Sequence, residues 1–300
     1  MTKSMSVVAK FELEPNLTEH ELSEISTLIE KRTGILFDRS RERFFSTRIK
    51  DHLLHKKLSR GADLVRLIKG SNVEYEALLE RLLTQETSFF RYPHVFDAIE
   101  KKVLPELHVK KFWESPRTLR MWSAACSTGE EAYSLAITLS ESLDFAEAWN
   151  IHILATDVSR KALKDAERGV YSRRSLGELT PKQVESAFAK VGDQFMVKPR
   201  LRNLVTFAQQ NLIEATYMGR FDVIFCMNVL IYFSEEKRKH VIKHLYDALE
   251  PGGYLILGHA DSVAGAGVKL ETIVHQDVRL YQKPVMGTGR FAAHAGEETK

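Results

Sequence analysis

The chain has little cysteine, no long apolar run and almost no net charge, and each shortage removes a class of protein. Only Cys126 and Cys226 occur in 300 residues, too few for a disulfide framework and without the spacing of a metal or redox pair. Each falls in or at the exit of an expected strand, where free cysteine packs as a small hydrophobe. The longest nearly apolar stretch, Phe221 to Phe233, is interrupted by Asp222 and Asn228 and is well short of the ~20 residues needed to span a bilayer. The opening MTKSMSVVAKFELE lacks the apolar block of a secretory signal, so a cytoplasmic protein with no membrane insertion is expected. His52 with His55, and His240 with His244, have helical spacing but no acidic or cysteine companions. They read as solvated surface residues, and no metal site is expected.

What is present is a globular composition with uneven charge. An apolar content of 44% is ample for one large domain or two ordinary ones. The net charge is +3, yet residues 31–60 hold ten Lys or Arg against three acids. That segment presents a local positive field to an acidic partner.

Two kinds of pattern divide the chain. Residues 17–112 read as helices with short breaks: Thr18 opens a capping box before Leu22, Ile25, Leu28 and Ile29 at helical spacing, and Gly34 stops that helix. Further helices are expected at about 40–59, 62–69, 72–84 and 93–108. After Pro116 the pattern changes to apolar strands near 119–122, 151–155, 221–226 and 254–257, alternating with helices near 130–142, 159–168 and 235–249. Such alternation means a parallel sheet covered by helices, with ligands at the carboxyl ends of its strands. Asp193 to Phe207 alternates polar and apolar residues on both sides of Lys198-Pro199, the pattern of a hairpin turning there before a strand at 204–208. The domains expected are a helical one at 1–84, a linker and connecting helix at 85–116, and an α/β domain at 117–284 with a β insert at about 192–207. The small, polar tail 285–300 is expected to be disordered.

The run Trp122-Ser123-Ala124-Ala125-Cys126-Ser127-Thr128-Gly129-Glu130-Glu131 joins the first strand to a helix. Small side chains there let a ligand approach the backbone, and two carboxylates at the exit repel a pyrophosphate. A ligand with positive charge and hydroxyl donors suits the turn, and S-adenosylmethionine is one; the plainer alternative is acids favoured in a helix first turn by its dipole. Asp157 ends the second strand, where an acid commonly binds ribose hydroxyls, though it could also cap the next helix. Asn211-Leu212 and Asn228-Val229 follow the third and fourth strands, placing an amide and an apolar side chain at equivalent exits, suited to an adenine edge and ring. Thr87-Ser88-Phe89-Phe90-Arg91 forms an aromatic and cationic cluster that, taken alone, reads as a core hinge with an exposed arginine.

Together these motifs, TSFFR at 87–91, WSAACSTGEEAYS at 122–134, ATD at 155–157, NL at 211–212, FDVIFCMNVLIYF at 221–233 and PGGYLILGH at 251–259, resemble the CheR family of bacterial chemoreceptor glutamate O-methyltransferases. The resemblance spans residues 17–284. It implies a doubly wound S-adenosylmethionine methyltransferase sheet of α/β class with a small β insert, preceded by an all-α N-terminal domain. It implies cofactor contacts from Gln85, Thr87, Arg91, Glu131, Asp157, Asn211, Leu212, Asn228 and Val229, with Gln85 standing where an asparagine is frequent. Arg91 and Tyr232 would lie at the methyl-transfer centre, giving S-adenosylhomocysteine as the second product. The partners implied are the acidic cytoplasmic methylation helices of chemoreceptors, in signal adaptation. Arg41 and Arg48 would face them, on an arc shared with His52 and His55, and nucleic acid is not expected because the basic helix lacks interleaved stacking aromatics. The short turn around Val197 to Arg200 implies no strong dependence on a receptor tether peptide. Met227 departs from the family, where many members have arginine. The alternatives are a methyltransferase of a small molecule or RNA, and a cofactor-binding regulator without turnover.

Overall fold

A computed structural model describes residues 15–142, 149–177, 179–214 and 219–285; the tail expected to be disordered falls, from residue 286, outside them. The chain forms two compact units, Met1–Thr84 and Gln85–Lys300.

The first unit is built from α1 (Glu19–Thr33), α2 (Glu42–Lys56), α3 (Gly61–Gly70) and α4 (Asn72–Leu82). Helix α1 begins and ends where its sequence requires. The Thr18 hydroxyl accepts from the Glu21 N–H at 3.2 Å while the Glu21 carboxylate accepts the Thr18 N–H at 2.9 Å, and Gly34 closes the helix at φ 78°. Ile25, Ile29, Phe45, Ile49, Leu53, Leu64, Ile68 and Leu78 are buried in this unit.

The buried face of α2 holds Phe45, Ile49, His52 and Leu53, and this corrects the reading of His52 as a surface residue. At 100° per residue it stands about 20° from Phe45 and about 40° from Arg48, on the border between the apolar stripe and the basic arc, and packing draws it to the buried side. His52 is 0% exposed, and neither ring nitrogen has a hydrogen-bond partner. Burial, helped by the positive charges of Arg81 and Lys56, pushes its pKa down to about 4. Arg43 and Lys50 are exposed on one arc of α2, and Arg48 is exposed on roughly the opposite one.

The second unit opens with α5 (Pro93–Ala98), a π-helical segment at Ile99–Val103 and α6 (Leu104–Lys111). These replace the single helix expected at 93–108. The register loosens to i→i+5 immediately before Pro105, which has no N–H to give an α-helical bond. A seven-stranded sheet follows, from β1 (Arg117–Ala124), β2 (Trp149–Asp157), β6 (Val205–Gln209), β7 (Phe221–Cys226), β8 (Leu249–Leu257), β9 (Glu271–His275) and β10 (Val278–Gln282), in the order β6-β2-β1-β7-β8-β10-β9. Strands β6, β2, β1, β7 and β8 are parallel, and β10 is antiparallel to both β8 and β9.

The chain winds outward from β1 to β6, then resumes at β7 and winds the other way. The exits of β1 and β7 therefore flank a topological switch point, where such sheets bind ligands. Every residue of β7 is buried, including Asp222, which pairs with Lys111 at 3.1 Å and accepts the Arg120 N–H at 2.9 Å. Helices α7 (Glu130–Ser142), α8 (Arg160–Arg168) and α11 (Glu235–Ala248) fill the expected places.

The β insert lies elsewhere than its sequence suggested. A separate three-stranded sheet is formed by β3 (Val170–Ser172), β4 (Phe188–Val191) and β5 (Gln194–Val197), in the order β3-β5-β4, with α9 (Pro181–Ala187) between its first two strands. The hairpin turns at Gly192-Asp193, where Gly192 has φ 64°. Lys198-Pro199 instead starts a short helix, α10 (Pro199–Arg202), because proline pre-sets a first helical residue. The insert thus runs over 170–197, and the turn length used for the tether expectation belongs to α10.

Candidate active site

The loop after β1 packs tightly against its neighbours. Ala125, Ser127 and Gly129 all have positive φ, at 64°, 50° and 93°, and Cys126 donates its N–H to the Thr156 carbonyl at 2.9 Å, tying the loop to β2. Gly129 is required by packing rather than by a ligand. A Cβ there would meet Ala166 Cβ at 2.8 Å and Tyr171 Oη at 3.0 Å. Tyr171, from the small sheet, donates its hydroxyl to the Thr128 carbonyl at 2.7 Å. Cys126 and Cys226 are buried, and desolvation pushes both thiols well above their usual range, as suits inert packing residues.

Asp157, at the end of β2, holds this loop and the next. One carboxylate oxygen accepts the Ser127 N–H at 2.9 Å, and the other accepts the Ser159 N–H at 2.8 Å. Ser159, not Asp157, caps α8, since its hydroxyl accepts the Ala162 N–H at 3.0 Å. Gln85 donates its amide to that same hydroxyl at 3.1 Å. The Asp157 carbonyl accepts the Gln210 N–H at 3.0 Å, so the chain before Asn211-Leu212 joins the cluster. Asn211 accepts the Ile213 N–H and donates to Glu214, both at 3.3 Å. Leu212 is buried, and its carbonyl also takes a hydrogen bond from His244. His244, expected on the surface, is partly buried, with its ring 4.1 Å from that of the exposed His240.

A second group gathers around Glu131 in the first turn of α7. Ser123 donates its hydroxyl to the Glu131 carboxylate at 2.6 Å. Burial nevertheless pushes Glu131 up to about 7, opposed by that bond and by the charge of Arg91. Arg91 stands at the end of the aromatic cluster as an exposed arginine on a buried base. Phe89 packs edge-on to Tyr171 and Phe188, and the Phe90 N–H donates to the Ser134 hydroxyl of α7 at 3.0 Å. The Arg91 guanidinium donates to the Glu86 carbonyl at 2.8 Å. Thr87 lies partly buried between Gln85 and Phe89.

Asn228, with φ 58°, leaves β7 and donates its amide to the Tyr92 hydroxyl at 2.9 Å. Val229 leads into a 3₁₀ turn at Leu230–Tyr232 that presents Tyr232. Arg238 of α11 braces this turn by donating to the carbonyls of Leu230 and Phe233 at 3.3 and 3.5 Å. Arg41 and Arg48, in the other unit, differ from one another: Arg41 is partly buried and donates to the Leu36 carbonyl at 3.3 Å, whereas Arg48 is exposed above the Phe44 ring. Among the described residues no group of three or more His, Cys, Asp or Glu is arranged to hold a metal, and no helix is long and apolar enough to cross a membrane.

Residues 85–278 match the family model for the CheR methyltransferase, SAM binding domain. The chain belongs to the CheR methyltransferase family. The chemotaxis protein methyltransferase of Vibrio parahaemolyticus is 35% identical over 264 residues, 86% of this chain and 94% of that one. That of Borreliella burgdorferi is 31% identical over 263 residues, 85% and 93% of the two chains. Chemotaxis protein methyltransferase 2 of Vibrio cholerae is 30% identical over 287 residues, 94% and 96% of the two. This is therefore an S-adenosylmethionine-dependent methyltransferase of the chemotaxis type.

The loops fit that cofactor. Ser127 Oγ and Gln210 Oε1 are buried without a partner, acceptors that a polyhydroxylated ligand can satisfy. Neither residue carried a sequence expectation, and for Ser127 the signal was its place in the small-residue run. Glu131, desolvated and short of partners, suits a cationic ligand group.

Proposed function

We propose that this protein transfers the S-adenosylmethionine methyl group to glutamate side-chain carboxylates of chemoreceptors, forming methyl esters in signal adaptation. The observation that carries the reading is Arg91, an exposed guanidinium anchored through one N–H to Glu86 on a loop pinned to α7 by Phe90. Its fixed charge and planar fork suit a carboxylate substrate.

When bound, the cofactor supplies a methyl group activated by its sulfonium. Glutamate, with a reference pKa of about 4.3, is already an ionised nucleophile at neutral pH. No residue of the chain needs to remove a proton, and the work is positioning and exclusion of water. Arg91 holds the substrate carboxylate and Tyr232, on its braced turn, orients it by hydrogen bonding. Asp157 takes ribose hydroxyls. Gln85, Thr87 and Glu131 meet the rest of the cofactor, and the Asn211-Leu212 and Asn228-Val229 pairs meet the base. Glu131 becomes fully ionised against a positive group, which removes the cost of its burial as a lone anion.

The exposed Arg48 of α2 supports an acidic partner. Arg43 and Lys50 are also exposed but lie on roughly the opposite arc, and receptor methylation helices are the acidic surface that the Arg48 arc would meet in the cytoplasm. Arg41, turned back onto Leu36, contributes less. Nucleic acid is a poorer match because Phe45 is buried in the core and does not offer a stacking platform.

The test is to incubate the full chain with methyl-labelled S-adenosylmethionine and receptor cytoplasmic fragments, then measure volatile methanol released by mild base. Base-labile label on a receptor is expected. Base-stable label, or label on RNA or a small molecule, would replace this reading with another methyltransferase activity, and cofactor binding without label on any acceptor would favour a regulator.

A further inference from the structure

Tyr92 belongs to neither the arginine loop's motif nor the β7 exit, yet it touches both. Its hydroxyl oxygen accepts the Asn228 amide at 2.9 Å, and its ring centre lies 5.7 Å from the Arg91 guanidinium carbon. Its carbonyl accepts the Val95 N–H at 2.9 Å, and Pro93 follows as the first residue of α5. The helix start thus fixes where its phenol stands.

The other end of the bond needs such a hold. Asn228 has φ 58°, in the left-handed region where the backbone alone constrains an asparagine little. The side chain of its neighbour Met227 has no donor to tie the strand exit down, and packs partly buried against the core, as Tyr92 also does. In this chain a neutral amide–phenol bond links the two loops.

We propose that Tyr92 is a positioning residue that holds the Asn228-Val229 cofactor loop to the arginine loop. The proposal rests on the reading of Asn228 as a cofactor contact. Loss of one neutral hydrogen bond costs about 1 kcal/mol, roughly fivefold in an equilibrium constant.

The experiment is titration calorimetry of S-adenosylhomocysteine into the full chain and its Y92F, N228A and Y92F/N228A variants, with steady-state kinetics on a receptor fragment. Y92F keeps the ring and should unfold, without ligand, within about 1 °C of the parent, because it removes only a hydroxyl. Binding by Y92F should weaken about fivefold, with KM for the cofactor raised and kcat within about twofold. In the N228A background the Y92F change should have no further effect. Normal binding by Y92F beside impaired binding by N228A would overturn the positioning role and leave the site reading standing, as would losses that simply add. Normal binding by both single variants would overturn the assignment of Asn228 to the cofactor, and the proposal with it.

Discussion

His52 in the helical unit and Glu131 in the sheet unit are desolvated in different company. In the helical unit His52 is sealed among Phe45, Ile49 and Leu53 with both nitrogens unpartnered. In the sheet unit the Trp122 indole donates to Thr156, Ser123 to Glu131, and Phe90 to Ser134. These bonds gather at the ends of β1 and β2 and the start of α7. Neither unit is uniform: Thr33 of the helical unit is bonded to the Ile29 carbonyl, and Ser127 and Gln210 of the sheet unit keep an unpartnered atom each, but the sheet unit alone uses such bonds to fix the loops of the site. The acid at the centre of the second network, Glu131, is still held near pKa 7, a strain that the proposed cofactor contact would relieve.

The sharpest break of this comparison should come from Arg91. R91A removes an exposed group, so the unliganded midpoint should stay within about 1 °C while methyl transfer to a receptor fragment falls a hundredfold or more, about 3 kcal/mol of transition-state stabilisation. A large drop in stability with modest loss of transfer would return Arg91 to a structural role.

Glu131 tests the relief of strain directly. Its raised pKa means that the folded state binds more protons than the unfolded between about 4.5 and 7, so its contribution to unliganded stability falls as pH rises through that window and is least favourable above it. E131Q should therefore melt higher than the parent at pH 8, yet bind S-adenosylhomocysteine about tenfold or more weakly. An unchanged affinity would remove Glu131 from the cofactor site.

His52 gives the opposite sign in the other unit. With a folded pKa of about 4 against about 6.5 unfolded, its contribution to stability is full above pH 6.5 and is lost as pH falls toward 4, about 2 kcal/mol of it by pH 5. H52L should flatten that part of the stability curve, read by urea unfolding at pH 5 and 7, and leave S-adenosylhomocysteine affinity unchanged. The smallest effect should be electrostatic: R48E should raise KM for a receptor fragment a few-fold at low salt, with the difference shrinking as salt screens it. Equal effects at low and high salt would argue against the basic face of α2 as the docking surface.

The sequence was most legible where a local signal has one structural answer. Thr18 with Glu21, Gly34 and the apolar strands placed α1 and the parallel sheet because capping and periodicity act within a few residues. The site loops were legible as positions, since Asp157, Asn211 and Asn228 stand at strand exits. Their partners were not. That Asp157 braces Ser127, that Gln85 reaches Ser159, and that Tyr92 meets Asn228 depend on chain segments 30, 74 and 136 residues apart. The insert was misplaced because Lys198-Pro199 reads locally as a turn, whereas Gly192-Asp193 makes it; the competing signal, proline at a helix start, needed the following turn to be recognised. His52 was misjudged because its spacing sets it between Arg48 and Phe45, and only packing decides which neighbour it follows.

Gly129, Ala166 and Tyr171 carry a last consequence. The nucleotide loop is shaped on its outer side by a tyrosine of the small sheet and an alanine of α8, with no room for even one added carbon. The small sheet is consequently not a cartridge that can be exchanged between relatives at will. A chimera that imports a different insert without a tyrosine at that place would lose the hydroxyl bond to the Thr128 carbonyl together with the contact that shapes the loop.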